Sequence, residues 1–170
     1  TFRLRPIGVK LVPRLFNKSE CAHMTLKVAV SWGELIDKIT ILEIKRDRLR
    51  DPGQLAHVET ELAALVAARD EALTAAARDE ALTAAARDDA LSVAADIAAE
   101  TEALRSINSA LWEIEDDIRD HERRGDFGPG FIELARSVYI TNDRRAAVKR
   151  QINDRLGSEI VEEKSYADYG

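Results

Sequence analysis

The sequence predicts an all-α protein: an elongated helical bundle or hairpin with a long alanine-rich helical arm and short extended segments near both ends. Three observations favour this class. Apolar residues recur at intervals of three and four along most of the chain, residues 54–124 contain neither glycine nor proline, and helix-capping residues precede the apolar stripes. With 45% hydrophobic and 33% charged residues, the chain is neither collagen-like nor typical of disordered proteins.

Length and charge exclude several classes of function. A chain of 170 residues suits one domain with a real core, and no apolar run is long enough to cross a membrane. The net charge of −6 argues against a general nucleic-acid binder. The single cysteine, Cys21, excludes a disulfide scaffold. We therefore expect a cytoplasmic protein without a membrane span.

Residues 1–23 differ in composition from the rest of the chain. This leader carries five basic residues against one acid, and it lacks the apolar stretch of a secretory signal. We expect translation to begin at Met24, with the leader either disordered or not native. A basic arm that contacts an acidic surface or a membrane is the alternative. Residues 24–170 are then a single helical domain.

The first helix has a well-defined predicted start. Residues 25–30 (TLKVAV) alternate in the manner of a short strand. Ser31 and Glu34 then fit the S-x-x-E capping box, in which each residue satisfies the backbone amide of the other. Val30 and Leu35 fall at the positions of a hydrophobic staple. The sequence therefore predicts a helix from Ser31, with an apolar face too wide for a coiled-coil seam.

A second helix is predicted to start at Asp51, followed by Pro52 at the first helical position and Gln54 at the third. Residues 69–95 are a nine-residue tandem repeat in which RDEALTAAA occurs twice and then decays to RDDALSVAA. Nine residues turn a helix by about 900°, so successive copies face opposite sides and form no continuous stripe. We interpret the repeat as a spacer. Residues 54–124 form either one rod or an antiparallel hairpin, and burial of both apolar ends favours the hairpin.

The rest of the chain is predicted to contain two shorter helices and a tail. Glycines and a proline in residues 125–130 end the long helix. Residues 131–139 form a short helix, and Thr141 or Asn142 caps the next, which runs to Leu156. The tail is extended, and Ile160 and Val161 pair with residues 26–30. The EEKSY segment is either a docking peptide or a strap over the chain's own core, and we favour the strap.

Several sequence blocks resemble those of a bacterial family of unknown function. They include SWGELIDKITILEIK, LWEIEDDIR, ARSVYITNDRRA and VEEKSY, in this order. Members of that family begin just before the first block, which agrees with a start at Met24, whereas the basic leader and the repeat depart from the pattern. The family has no established activity, so the resemblance implies a fold unit and no reaction. Some genes of that family lie near glycosyltransferase and repeat-protein genes, so the resemblance implies a link to surface-polysaccharide biosynthesis.

One candidate site is acidic. Glu34 and Asp37 lie three residues apart on the first helix, as do Glu113 and Asp116 on a later one. Residues three apart share a helix face, so two facing pairs would form an oxygen cage suited to Mg²⁺ or Mn²⁺. This arrangement is similar to the metal site of the all-α nucleotide pyrophosphohydrolases, where the metal activates water. Solvated or salt-bridged carboxylates are the alternative.

A second candidate site is basic. Arg136, Arg144 and Arg145 lie near Asn142, which is predicted to open a helix. A helix N-terminus together with arginines can hold a phosphate or a carboxylate. The alternative is that these cations pair with the surplus acids of the chain.

These features leave three functions open. The first is an interaction or adaptor module without catalysis, linked to surface-polysaccharide biosynthesis, with a protein partner or a second copy bound through the long helix. The second is a metal-dependent phosphohydrolase, and the third is a module that binds a small anion such as a sugar phosphate. Whether the protein is an enzyme stays open at this point. The hydrolase requires the four carboxylates to converge within about 5 Å of one another.

Overall fold

The computed structural model describes residues 26–78 and 97–165, and these form four packed α-helices. The described residues contain no β-strand, so the all-α prediction is confirmed. None of the helices in the described ranges contains an apolar stretch that could span a bilayer. The leader and residues 79–95 of the repeat lie outside the described residues. The helices are α1 (Trp32–Arg48), α2 (Pro52–Arg78), α3 (Ala98–Arg124) and α4 (Pro129–Arg155).

The first two helices begin where their capping residues predict. The amide of Glu34 donates to Oγ of Ser31 at 3.2 Å, and the amide of Gln54 donates to Oδ1 of Asp51 at 2.8 Å. Each bond satisfies one of the backbone donors that a helix start leaves without an intrahelical partner. These local signals were sufficient to fix both helix starts.

Helix α1 is the centre of the fold, because it packs against each of the other three helices. On one side, Ile39 and Leu42 form a buried cluster with Val58 and Leu62 of α2. On the other side, Ile36 is buried against Ile97, Leu104 at the start of α3 and Ile152 near the end of α4. The core therefore has two apolar clusters that share α1.

The directions of the helices follow from these contacts. Asp37 and Arg48 of α1 contact Asn108 and Glu113 of α3, so α1 and α3 run parallel. Only residues 49–51 separate α1 from α2, and Lys38 in the first half of α1 binds Glu61 of α2 at 2.7 Å, so α2 turns back and runs antiparallel to α1. Helices α2 and α3 thus point in opposite directions. This arrangement confirms the hairpin and excludes a single rod.

The predicted break near residue 140 is wrong, because α4 is one continuous helix from Pro129 to Arg155. Thr141 is buried inside it, and Nδ2 of Asn142 donates to the carbonyl oxygen of Val138 at 3.0 Å. Asparagine in the middle of a helix can bond back to the preceding turn in this way instead of capping a new one. Neither residue therefore starts a helix.

The predicted strand pairing at the two ends is also wrong. Residues 26–30 have no regular structure, and Leu26 is 88% exposed. Ile160 and Val161 are also exposed, at 44% and 39%. The tail runs instead along α4, where Glu162 binds Lys149 at 2.6 Å and Glu163 binds Arg150 at 3.0 Å. The described part of the tail is therefore a strap, and it is not available to pair as a strand with residues 26–30.

The turn between α3 and α4 follows the prediction. Helix α3 ends at Gly125, whose φ of +66° lies in the left-handed region that favours glycine. Nδ1 of His121 lies 3.2 Å from Oδ2 of Asp126 and holds the turn against the end of the helix. The turn brings α4 back antiparallel along α3.

Candidate functional site

The two predicted metal ligands on α1 contact different groups. The carboxylate of Glu34 contacts the ammonium group of Lys149. Asp37 is 2% exposed, and its Oδ1 accepts from Nδ2 of Asn108 at 2.9 Å and lies 3.5 Å from Nε of Arg145. One of these carboxylates is therefore at the surface under the strap, whereas the other is inside the bundle.

The two predicted ligands on α3 are exposed and paired with arginines. Glu113 contacts Arg48 of α1, and Oδ1 of Asp116 lies 3.4 Å from Nη1 of Arg119. In the part of the chain that the structure describes, no three His, Cys, Asp or Glu side chains are close enough to hold a metal ion together. The structure therefore does not bring the four carboxylates into one ligand set.

The predicted anion-binding residues are also divided. Asn142 lies in the middle of α4, so the helix N-terminus that it was expected to supply is not there. Arg136 and Arg144 are exposed on the surface of α4. Only Arg145 reaches the bundle interior, where its guanidinium lies beside Asp37.

A buried polar network connects α1, α3 and α4 at this point. Both hydrogen-bonding contacts of the Asn108 amide group run to α1, with Nδ2 at 2.9 Å from Asp37 and 3.0 Å from Oγ1 of Thr40. The hydroxyl of Thr40 donates in turn to the carbonyl oxygen of Asp37. These acceptors fix the orientation of the amide. The remaining acceptor, Oδ1 of Asn108, is buried and has no donor among the described residues.

A cavity of about 400 Å³ lies next to this network, between α1, α3 and α4. Its volume falls in the range of about 300–1,000 Å³ that is usual for small-molecule sites. Asn108 and Arg145 line one part of it, and Ile41, Leu111 and Trp112 form its apolar wall. The remaining lining residues are charged: Lys45, Glu115, Asp116 and Arg119.

The charged residues of the cavity differ in whether they form ion pairs. Arg119 binds Glu115 at 3.0 Å and Asp116 at 3.4 Å, so these three neutralise one another in part. Lys45 is partly buried, and its side chain makes no ion pair or hydrogen bond with any residue in the described ranges. Lys45 is therefore a cation without a counter-charge at the wall of the cavity.

The two cationic groups line different parts of the cavity. Asp37, Ile41 and Lys45 are four residues apart along α1 and share one face of it. Since a helix rises about 1.5 Å per residue, the backbone positions of Asp37 and Lys45 are about 12 Å apart. Arg145 lies beside Asp37. Arg145 therefore lines the part of the cavity near Asp37, and Lys45 lines the part further along α1.

The indole of Trp112 is held in place from outside the cavity. The guanidinium carbon of Arg48 lies 5.4 Å from the ring centroid, which is the geometry of a cation–π contact. Arg48 is fixed by Glu113 and by a 2.8 Å hydrogen bond to Oγ of Ser109. These contacts orient the ring without filling the cavity.

A second cavity, of about 280 Å³, lies under the strap and is lined by Lys149, Arg150, Asn153, Glu162 and other residues. Lys149 is 6% exposed and contacts both Glu34 and Glu162. Burial alone would lower the pKa of Lys149, but the bonds to Glu162 and Glu34 outweigh it and raise that pKa. The bond from Lys149 lowers the pKa of Glu162. The chain's own glutamates therefore satisfy the cation at this cavity.

The sequence predicted two of the residues that line this cavity as ligand contacts, Arg145 for an anion and Asp116 for a metal, and it did not single out the others. Arg145 was predicted, but Lys45 and Asn108 were not, and Trp112 resembles an ordinary core anchor. The available signal was Asn108, which falls on the apolar stripe between Leu104 and Leu111. A polar residue on a core-facing stripe needs a buried partner, and here that partner is Asp37.

No family model, no curated protein and no solved structure matches this chain. The resemblance of its sequence blocks to a bacterial family therefore stays a prediction.

Proposed function

We propose that this chain is a binding module for a small anionic ligand, held in the cavity between α1, α3 and α4. Lys45 carries the proposal, because it is a partly buried cation at the cavity wall with no counter-charge among the described residues. A phosphate or carboxylate group would supply that charge through a charge-assisted hydrogen bond. Arg145, which also lines the cavity, offers further donors to the same ligand.

The hydrolase receives no support from this geometry. Its four carboxylates contact four different cations, namely Lys149, Arg145, Arg48 and Arg119. Water activation by a bound metal requires the carboxylates to act on one ion instead. A ligand-binding role uses the same part of the fold without that requirement.

The proposal is tested by calorimetric titration of the full chain with phosphate compounds of increasing size, from inorganic phosphate through ribose 5-phosphate to uridine monophosphate. We expect saturable binding of at least one compound, weakened at least tenfold by Lys45→Gln, because one charge-assisted hydrogen bond contributes about 1.5–3 kcal/mol. Lys38→Gln is the matched control, since Lys38 is on the same helix but binds Glu61 of α2. It should weaken binding less than about twofold.

Two results would overturn the proposal. The first is no saturable binding of any of these compounds. The second is equal weakening by Lys45→Gln and Lys38→Gln, which would indicate a general charge effect. If only Arg144→Gln weakened binding, the anion would lie on the exposed face of α4, as the sequence alone predicts. This result would also contradict binding in the cavity.

A second candidate function is association with another copy of this chain, and one observation favours it. The amide of Trp32 donates to Oγ of Ser158 at 3.3 Å, so the segments that carry Val30 and Ile160 leave the bundle at the same end. Both side chains are exposed, at 50% and 44%. Exposed apolar side chains at the same end of a bundle are suited to an interaction surface. We propose self-association there, whereas the link to surface-polysaccharide biosynthesis stays a prediction.

Sedimentation equilibrium tests this second function. A concentration-dependent dimer that is lost in the double variant Val30→Ser, Ile160→Ser would support it. The control is Ile132→Ser, since Ile132 is comparably exposed, at 56%, but lies on α4. A monomer at all concentrations, or a dimer that only the control variant disrupts, would contradict it.

A further inference from the structure

We infer that the ligand of this cavity is a nucleoside phosphate, with its phosphate at Lys45 and its base against Trp112. This inference rests on the proposed anion-binding function and adds the identity of the uncharged part of the ligand. It follows from the apolar wall of the cavity and from the unpartnered acceptor of Asn108.

The apolar wall favours a flat ring. Ile41 and Leu111 come from two helices, and Trp112 adds an indole whose orientation is fixed by Arg48. Aromatic rings pack well against a fixed indole in offset or edge-to-face geometry. A simple phosphate would leave this wall in contact with water, whereas a nucleobase would cover it.

The polar end of the cavity favours a ring that carries an N–H group. Oδ1 of Asn108 is buried without a donor, and an unsatisfied buried acceptor costs about 1–3 kcal/mol. Nδ2 of the same amide donates to Asp37 and Thr40. Rotation of the amide to give Oδ1 a donor would therefore break both of these hydrogen bonds. A ligand N–H satisfies the acceptor, once a small shift of the surrounding side chains exposes it.

Arg145 complements Asn108 at this end. Both residues line the cavity and both contact Asp37, so this end offers guanidinium N–H donors and, once the surrounding side chains shift, the amide acceptor of Asn108. The edge of a nucleobase carries donors and acceptors side by side, and paired contacts of this kind are how proteins recognise bases. Lys45, whose backbone lies about 12 Å from that of Asp37 along α1, is left to hold the phosphate.

The inference is tested by comparing three probes on the full chain: inorganic phosphate, ribose 5-phosphate and uridine monophosphate. We expect the nucleotide to bind at least tenfold more tightly than ribose 5-phosphate, a difference of 1.4 kcal/mol. Trp112→Leu should remove most of that difference, measured as the ratio of the dissociation constants of the two compounds. Trp112→Phe, which keeps a ring, should retain part of it.

Trp32→Phe is the control, because Trp32 packs against the other side of α1's core, near Ile36 and Ile152, and does not line the cavity. It should leave the preference for the nucleotide unchanged. The Trp32→Phe variant keeps Trp112 as the one tryptophan of the chain. The fluorescence of Trp112 in this variant should therefore change on titration with the nucleotide.

The possible failures are distinguishable. Equal affinities for uridine monophosphate and ribose 5-phosphate, both weakened by Lys45→Gln, would overturn the nucleotide and leave the anion site in place. No saturable binding of any probe would overturn both. A preference for the nucleotide that Trp112→Leu does not change would overturn the placement of the base against Trp112.

Discussion

The backbone amide of Gly33 on α1 donates a hydrogen bond to Oδ1 of Asn153 on α4 at 2.6 Å. This amide lies in the first turn of its helix, where backbone donors have no intrahelical partner. A residue 120 positions later in the chain therefore helps to cap α1. The contact also fixes how closely α1 and α4 approach, since a Cβ at Gly33 would overlap the carbonyl group of Lys149, with its carbon only 2.9 Å away.

Gly33→Ala should lower the free energy of unfolding by about 2 kcal/mol, because the two helix backbones must separate to admit a methyl group. Chemical denaturation measures this loss. Gly130→Ala is the control, since a Cβ there would meet only the ring of His121 at an ordinary 3.4 Å. The control should be neutral or slightly stabilising, by up to about 1 kcal/mol. Equal losses in both variants would contradict the close approach of α1 and α4.

Asp37→Ala should destabilise the fold by about 2–4 kcal/mol, because Asn108 and Arg145 lose their buried acceptor. Asp47→Ala on the same helix is the control, since Asp47 is exposed and pairs only with its neighbour Arg46 in the described part of the chain. Its effect should stay within about 0.5 kcal/mol. Thermal and chemical unfolding of the two variants measures the contrast, and similar effects would argue against a buried network.

Lys45→Gln should change the free energy of unfolding by less than about 0.5 kcal/mol, because Lys45 has no partner to lose within the described ranges. Arg145→Gln should be more costly, since it leaves Asp37 without a nearby cation. Urea denaturation of both variants checks this difference. A large loss of stability in Lys45→Gln would show that Lys45 is structural and would weaken the assignment of a ligand to it.

The strap should respond to acid through Glu162. Its hydrogen bond from Lys149 holds the pKa of Glu162 below its ordinary value of 4.5. A lowered pKa in the folded state means that the bond stabilises the fold above pH 4.5 and is lost as the pH falls through the folded-state pKa. Glu162→Gln should therefore cost about 1 kcal/mol at pH 7 and progressively less below pH 4.5.

Unfolding curves between pH 3 and pH 7 test this dependence, with Glu163→Gln as the control. Glu163 binds Arg150 at the surface and is 76% exposed, so its removal should have little effect at any pH. A cost of Glu162→Gln that is independent of pH would contradict the role of its charge.

Local signals made the helix starts predictable, because a capping residue acts on amides only two or three positions away. Ser31 and Asp51 are the clearest cases. Asn142 shows the limit of the same reasoning, since its type is equally suited to a cap and to a bond back to Val138. Local sequence alone did not reveal that α4 continues through this position.

The site was less predictable than the helices, because its residues meet only through the packing of three helices. Lys45 differs from the other cations of the cavity because it has no counter-charge among the described residues. The nearby carboxylates, Glu115 and Asp116, pair with Arg119 instead. The spacing of Glu34 and Asp37 correctly placed them near each other on α1 but could not show that Lys149 and Arg145 reach them. The spacing of residues along one helix does not show which charged residues of another helix will contact them.

Binding of a small anion between α1, α3 and α4 should change the NMR chemical shifts of the backbone amides and the indole N–H that line this cavity. The full chain is titrated with the tightest-binding of the phosphate compounds above. We predict saturable shifts at Ile41, Lys45 and the indole N–H of Trp112, which all belong to the cavity. Shifts confined to Arg136 and Arg144, or to the strap around Glu162, would contradict binding in this cavity.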